Sequence, residues 1–84
     1  MHTEVETKPE YVIDCHFNDE RKFCTCIFRE LRGDSYIPIE AFTGDSKSIK
    51  DWIEDKNKEF GGIPVQGQQK IHKLIQHERE NADG

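Results

Sequence analysis

Three runs decide the fold of this chain: Tyr11-Val12-Ile13-Asp14-Cys15-His16-Phe17, then Phe23-Cys24-Thr25-Cys26-Ile27-Phe28-Arg29-Glu30-Leu31, then Tyr36-Ile37-Pro38-Ile39-Glu40-Ala41-Phe42. Each is rich in β-branched and aromatic residues and is bounded by polar clusters, the signature of half-buried strands. Asn18-Asp19-Glu20-Arg21 separates the first two runs and Arg32-Gly33-Asp34-Ser35 the second two, so both joints read as hairpins. Glycine at the first central position of the second joint suits a type II′ turn. Pro38 has no N–H for a ladder, which places the third strand at an edge.

Registers follow from the turns. Centring the first on Asp19-Glu20 sets Phe17 against Lys22, Cys15 against Cys24, Ile13 against Cys26 and Tyr11 against Phe28. Centring the second on Gly33-Asp34 sets Ile37 against Glu30, Ile39 against Phe28 and Ala41 against Cys26. Directly opposed residues share a face. Both registers therefore agree on one face that holds Tyr11, Ile13, Cys15, Phe17, Cys24, Cys26 and Phe28 with Ile37, Ile39 and Ala41. The opposite face carries Val12, Asp14, His16, Phe23, Thr25, Ile27, Arg29, Leu31, Tyr36, Pro38, Glu40 and Phe42.

Beyond Phe42, the cluster Thr43-Gly44-Asp45-Ser46 ends the sheet. Asp45, Ser46 and Ser48 are candidate caps for a helix with Ile49, Trp52, Ile53 and Phe60 on one face. Gly61-Gly62 stops that helix, Ile63-Pro64-Val65 reads as an apolar connector, and a second helix from about Val65 to Glu80 aligns Ile71, Leu74, Ile75 and Glu78. Gly67 weakens its first turn. The expected architecture is α+β: a three-stranded antiparallel sheet followed by two helices, in the order βββαα. One domain spans residues 11–81, with 1–10 as a flexible acidic tail and 82–84 as a frayed end.

Composition bounds the function. The chain has 84 residues, 33% of them hydrophobic and 35% charged, enough for one modest core and too little for a deep catalytic cleft. No apolar run approaches the roughly 18–20 residues that cross a bilayer. The first ten residues are acidic and polar where a signal peptide would be basic and then apolar, so a cytoplasmic location and no membrane partner are expected. A net charge of −5 argues against direct nucleic-acid binding. Much of that surplus lies in the terminal segments, at Glu4, Glu6, Glu10 and Asp83. Along the first helix the carboxylates alternate with Lys47, Lys50, Lys56 and Lys58, an ion-paired surface rather than a phosphate mimic.

The chemistry-bearing residues do not assemble into a reaction centre. Cys24-Thr25-Cys26 with Cys15 and His16 offers zinc-ligating atoms, but the thiols share one face while His16 points to the other, so the cysteines read as small apolar groups under the helices. Arg32-Gly33-Asp34 matches an integrin-recognition tripeptide, yet the turn itself accounts for Gly-Asp. His72 and His77 lie about 140° apart around their helix and do not share a ligand. Ser35, Ser46 and Ser48 occupy turns or a cap. No phosphate-binding loop, dinucleotide fingerprint or metalloprotease motif is present. The expectation is a non-enzymatic protein without cofactor or metal.

Two helices cover only one side of a sheet, which leaves a half-apolar face open, more than hydration alone requires. This makes the chain a candidate protein-binding module acting by steric occlusion. Phe23, Ile27, Leu31 and Tyr36 serve as apolar anchors, and Arg29, Arg32 and Glu40 as orienting charges at the rim. The alternative is a self-associating accessory protein, a homodimer through the same face. A small metal or thiol protein is the third reading.

The stretch Phe17-Asn18-Asp19-Glu20-Arg21-Lys22, the turn Arg32-Gly33, Phe42 closing the third run, Asp51-Trp52-Ile53, Gly61-Gly62 and Arg79-Glu80-Asn81 occur in an order similar to that of small phage-encoded anti-CRISPR proteins. Over residues 11–81 the chain resembles those that block the type I-F surveillance complex by binding its backbone subunits. The resemblance implies a three-stranded antiparallel sheet followed by two helices, inhibition by binding, and a host-cell cytoplasmic location for a phage-encoded chain. Phe17 stands where the family has a tyrosine. Phe28 stands where it has an acidic residue, with Glu30 two positions on, so no family site residue carries over.

Overall fold

A computed structural model describes residues 8–82. The expected acidic tail falls mostly on residues 1–7, and the last two residues of the expected frayed end are 83–84; these lie outside the described residues. The elements are β1 (Tyr11–Asn18), β2 (Phe23–Arg32), β3 (Ser35–Thr43), α1 (Ser46–Phe60), β4 (Val65–Gln66) and α2 (Gln68–Ala82). The fold is α+β, but the sheet has four strands in the order β3-β2-β1-β4, and β4 runs parallel to β1. The expected βββαα order is thus corrected to βββαβα. Ile13 N donates to Pro64 O at 3.0 Å, and Val65 and Gln66 pair with Ile13 and Asp14. What reads as an apolar connector occupies the free edge of β1, whose backbone groups would otherwise lack partners. Gly67 follows with φ +78, and a Cβ there would stand 2.6 Å from Cys15 O. The glycine lets the chain leave the sheet edge and enter α2.

The first hairpin has a four-residue turn instead of two. Asn18 Oδ1 accepts from Glu20 N at 3.0 Å and Arg21 N at 2.9 Å, and Lys22 N returns to Asn18 O at 2.8 Å. Lys22 completes the turn with φ 58. This Asn-centred turn shifts the register by two, so that Cys15 opposes Cys26, Phe17 opposes Cys24 and Tyr11 opposes Glu30. A shift of two preserves the face of every side chain, and the expected core face of β1 and β2 survives the wrong pairing.

The second hairpin begins as expected, with Leu31 opposite Tyr36 and Glu30 opposite Ile37, and positive φ at Gly33 without it at Asp34. The register then breaks. Arg29 pairs with Pro38 but Phe28 pairs with Glu40, leaving Ile39 as an extra residue in a β-bulge. One inserted residue exchanges the faces of everything after it. Glu40 and Phe42 turn under the helices, while Ala41 turns to the open face, the reverse of the expected placement, and Thr43 joins it there.

The core forms between the sheet and the helices. Ile13, Cys15, Cys24, Cys26 and Phe28 of the sheet meet Ile49, Ile63, Ile71 and Leu74, with Trp52, Ile53 and Phe60 at its border. Tyr11, Phe28 and Phe60 pack mutually with ring centroids 4.6–5.2 Å apart. Asp45 is the N-cap of α1, its Oδ1 accepting from Ser48 N at 2.7 Å. Glu78 of α2 reinforces that end: its carboxylate accepts from Ser46 N at 2.8 Å and Ser46 Oγ at 2.6 Å. The acidic residue on the apolar face of α2 thereby satisfies the exposed donors and positive dipole end of α1. At the other end, Gly61 in the left-handed region donates to Asn57 O at 2.8 Å and closes the helix.

Two glycine substitutions separate backbone strain from close approach. Gly33→Ala faces open space and should cost only the left-handed penalty, about 1–2 kcal/mol. Gly67→Ala adds the collision with Cys15 O and should cost more, measurable as a larger drop in the urea midpoint; equal effects would show that β4 does not hold its place beside β1.

Candidate protein-binding surface

The open side of the sheet is built by alternation along three strands. Phe23, Ile27 and Leu31 project from the central strand β2, half-buried among their neighbours, with Tyr36 opposite Leu31 and Ala41 opposite Ile27. Pro38 pairs with Arg29, and Ile39, the bulge residue, is 46% exposed. Ile37, paired with Glu30 on the helix side, is 40% exposed near the hairpin tip. Phe23, Ile27, Leu31 and Tyr36, expected as anchors, therefore share this face as the alternation requires. Ala41 is an addition that the expected register hid in the core, and Ile39, expected there too, is instead exposed at the bulge.

The polar members of the face are largely satisfied within it. Arg29 Nε meets Asp14 Oδ2 at 2.8 Å, crossing from β2 to β1. Thr25 Oγ1 and Thr43 Oγ1 are 3.0 Å apart between β2 and β3. Tyr36 hydroxyl donates to Pro9 O at 2.8 Å and ties β3 to the segment entering β1. His16 is exposed on this face.

The three charges expected at the rim are redistributed. Arg29 sits on the middle of the sheet with its charge paired, because its strand is flanked on both sides. Arg32 shares the helix-side parity of Glu30 at the hairpin end, and its Nε meets Glu30 Oε1 at 3.0 Å. Glu40 is placed on the helix face by the bulge. There its Oε1 accepts from Lys56 Nζ at 2.7 Å and its Oε2 from Trp52 Nε1 at 2.8 Å. These two donors, Lys56 first, hold the Glu40 carboxyl below its ordinary pKa. The Lys56 ammonium stands 5.1 Å from the Phe28 ring centroid and 5.7 Å from that of Trp52, so cation–π attraction supports it from the apolar side. Phe42 stacks on Trp52 at 5.5 Å. Glu40 and Phe42 fasten α1 to the sheet from its helix side.

On the opposite side, a groove of about 370 Å³ runs between the helices, with Ile53 and Ile71 at its apolar part and Lys50, Glu54, Gln68 and His72 among its polar lining. Cys15, Cys24 and Cys26 are buried free thiols, and no group of three or more His, Cys, Asp or Glu that could hold a metal ion occurs among the described residues. His77 Nε2 is 2.9 Å from Asn81 Nδ2 on its own helix. No helix among the described residues is long and apolar enough to cross a membrane. Comparison of the chain with protein-family models, with curated proteins and with solved structures returns no match.

The Glu40 cluster generates a pH dependence of defined sign. A carboxyl whose folded pKa is depressed adds stability above its unfolded pKa and loses it as pH falls through the folded value. Glu40→Gln should lower stability at neutral pH by under about 1 kcal/mol, because the carboxylate is half-exposed. The difference from the natural chain should vanish in acid below the folded pKa. Urea titrations at neutral pH and in acid read this directly; a difference unchanged by pH would show that the ion pair contributes nothing.

Proposed function

We propose that this protein is a non-enzymatic binding module that engages a protein partner through the open face of its sheet and acts by steric occlusion. The observation that carries the reading is the apolar stripe Phe23, Ile27 and Leu31 along β2, widened by Tyr36, Ala41 and the exposed Ile39. Of its polar members, Arg29 with Asp14 and Thr25 with Thr43 already have partners, so desolvating these four strands no unpaired charge. Aromatic and branched side chains held on a rigid strand lose little entropy on binding. Pro38 and the bulge interrupt the free edge of β3, which favours docking on the face over addition of a strand. The resemblance to phage-encoded inhibitors supplies a class of partner, a multisubunit host or defence complex.

Self-association through the same open face is the second reading, favoured by the incompletely buried Phe23, Ile27 and Leu31 beside the exposed Ala41. It uses overlapping residues but needs no outside protein.

Ile27→Asp discriminates, with Glu59→Ala on the outer side of α1 as control. Captures from a host lysate at physiological salt should contain a protein retained by the natural chain and the control. Ile27→Asp should weaken that association about tenfold or more while the urea transition stays cooperative. A partner held equally by all three proteins would remove the open face from the mechanism. A dimer by light scattering that Ile27→Asp dissolves, with no captured protein, would establish self-association instead.

A further inference from the structure

Cys15 and Cys26 oppose each other on the adjacent strands β1 and β2. Leu31 N donates to Glu10 O at 2.7 Å across the same strands. Hydrogen-bonded and non-hydrogen-bonded pairs alternate along an antiparallel ladder, and counting from Glu10–Leu31 makes Cys15–Cys26 a non-hydrogen-bonded pair. Side chains stand closest at such positions, and the two Sγ atoms are 3.2 Å apart in a thiol–thiol hydrogen bond. A disulfide has its sulfurs about 2.0 Å apart with Cβ atoms about 3.5–4.5 Å apart. Closure therefore asks for an approach of about 1 Å between the sulfurs.

The pair is also asymmetric. The hydrogen bond with Cys26 holds the Cys15 thiol below its ordinary pKa, and the same bond, with burial, pushes Cys26 up. Cys15 is 4% exposed against 0% for Cys26, so the residue whose thiol ionises more readily is also the less completely buried of the two. Cys24 shares the face and strand of Cys26 but opposes Phe17, and burial raises its pKa.

We propose that Cys15 and Cys26 are a redox-responsive dithiol, oxidised by small hydroperoxides to a cross-strand disulfide within one chain. The Cys15 thiolate attacks a peroxide oxygen and breaks the O–O bond, becoming a sulfenic acid while the leaving oxygen takes up a proton. Cys26 then attacks the Cys15 sulfur, forming the S–S bond, and hydroxide departs with the Cys26 proton as water. Two thiols and one hydroperoxide yield one disulfide, one alcohol and one water; with hydrogen peroxide both oxygen products are water. The bond closes the first hairpin through the core, on the side of the sheet away from Phe23, Ile27 and Leu31. It stabilises the platform without altering the proposed binding surface.

Hydrogen peroxide applied to the reduced, folded protein provides the test, followed by an acid quench, alkylation under denaturing conditions and peptide mapping. The expected product has lost two hydrogens, links the Cys15 peptide to the Cys24–Cys26 peptide and carries one alkylated thiol. Cys24→Ala should form the same link, and the oxidised protein should unfold at higher urea than the reduced one. Three alkylatable thiols after peroxide treatment would overturn the proposal. So would a link that Cys24→Ala abolishes, or oxidation of Cys15 to sulfinic acid with no link.

Discussion

The arrangement of this protein depends on one extra residue in an edge strand. Ile39 interrupts the pairing of β3 with β2 between Arg29–Pro38 and Phe28–Glu40, and period-two alternation converts that insertion into an exchange of faces. Without it, Ile39 and Ala41 would lie beneath α1 while Glu40 and Phe42 pointed away. With it, a carboxylate meets Trp52 and Lys56, and Phe42 stacks on the indole. The helix is joined to the sheet by oriented polar bonds at its edge as well as by core packing. Pro38 is the residue best suited to that place, since a bulge on an edge strand needs no donor from it.

The two helices are coupled by a second directional contact. Glu78 comes from the face of α2 that otherwise supplies Ile71, Leu74 and Ile75, and it reaches Ser46 at the start of α1. A carboxylate on an apolar face would be costly without a partner, and the free N–H groups of a helix start would lack acceptors if buried. Each group removes the other's problem. Because Asp45 caps the same turn, the entry of α1 is held from its own chain and from α2. The short β4 completes the enclosure by covering the free edge of β1, with Gly67 permitting the close approach to Cys15.

The sequence made the three long strands, both helices and the core face of β1 and β2 legible, because their apolar periodicity extends over many residues. Turn length was less legible: Asn18 binding two backbone donors makes a longer loop than Asp19-Glu20 alone indicates. That error did no harm to face assignment, since it moved the register by two. The bulge moved it by one, reversed Glu40, Ala41 and Phe42 and left Ile39 exposed without a partner. Pro38 was the available signal, for proline within a strand marks a bulge as well as an edge. The parallel strand β4 is only two residues long and has no alternation of its own, so its pairing depends on tertiary placement. For the candidate surface, Phe23, Ile27, Leu31 and Tyr36 follow from alternation, whereas the loss of Glu40 from the rim follows from the bulge.

The two faces of this sheet differ in how their polar groups are used, and this difference bears on the proposed function. On the helix side, Glu40, Lys56, Trp52 and Tyr11 use polar atoms at the border of an aromatic cluster, so they complete the packing. On the open side, Asp14–Arg29 and Thr25–Thr43 pair within the sheet, and the groups left without a covering element are chiefly apolar. An extended strand from a partner would need regular donors and acceptors along β3, but Pro38 and Ile39 interrupt them. A partner that lays side chains across Phe23, Ile27, Leu31 and Ala41 meets no such interruption. Area alone would not make that contact tight; rigidity of the platform decides how much affinity survives the cost of association. The central strand pair supplies the rigidity, and the opposed thiols lie in the core on the side of the sheet away from the proposed surface.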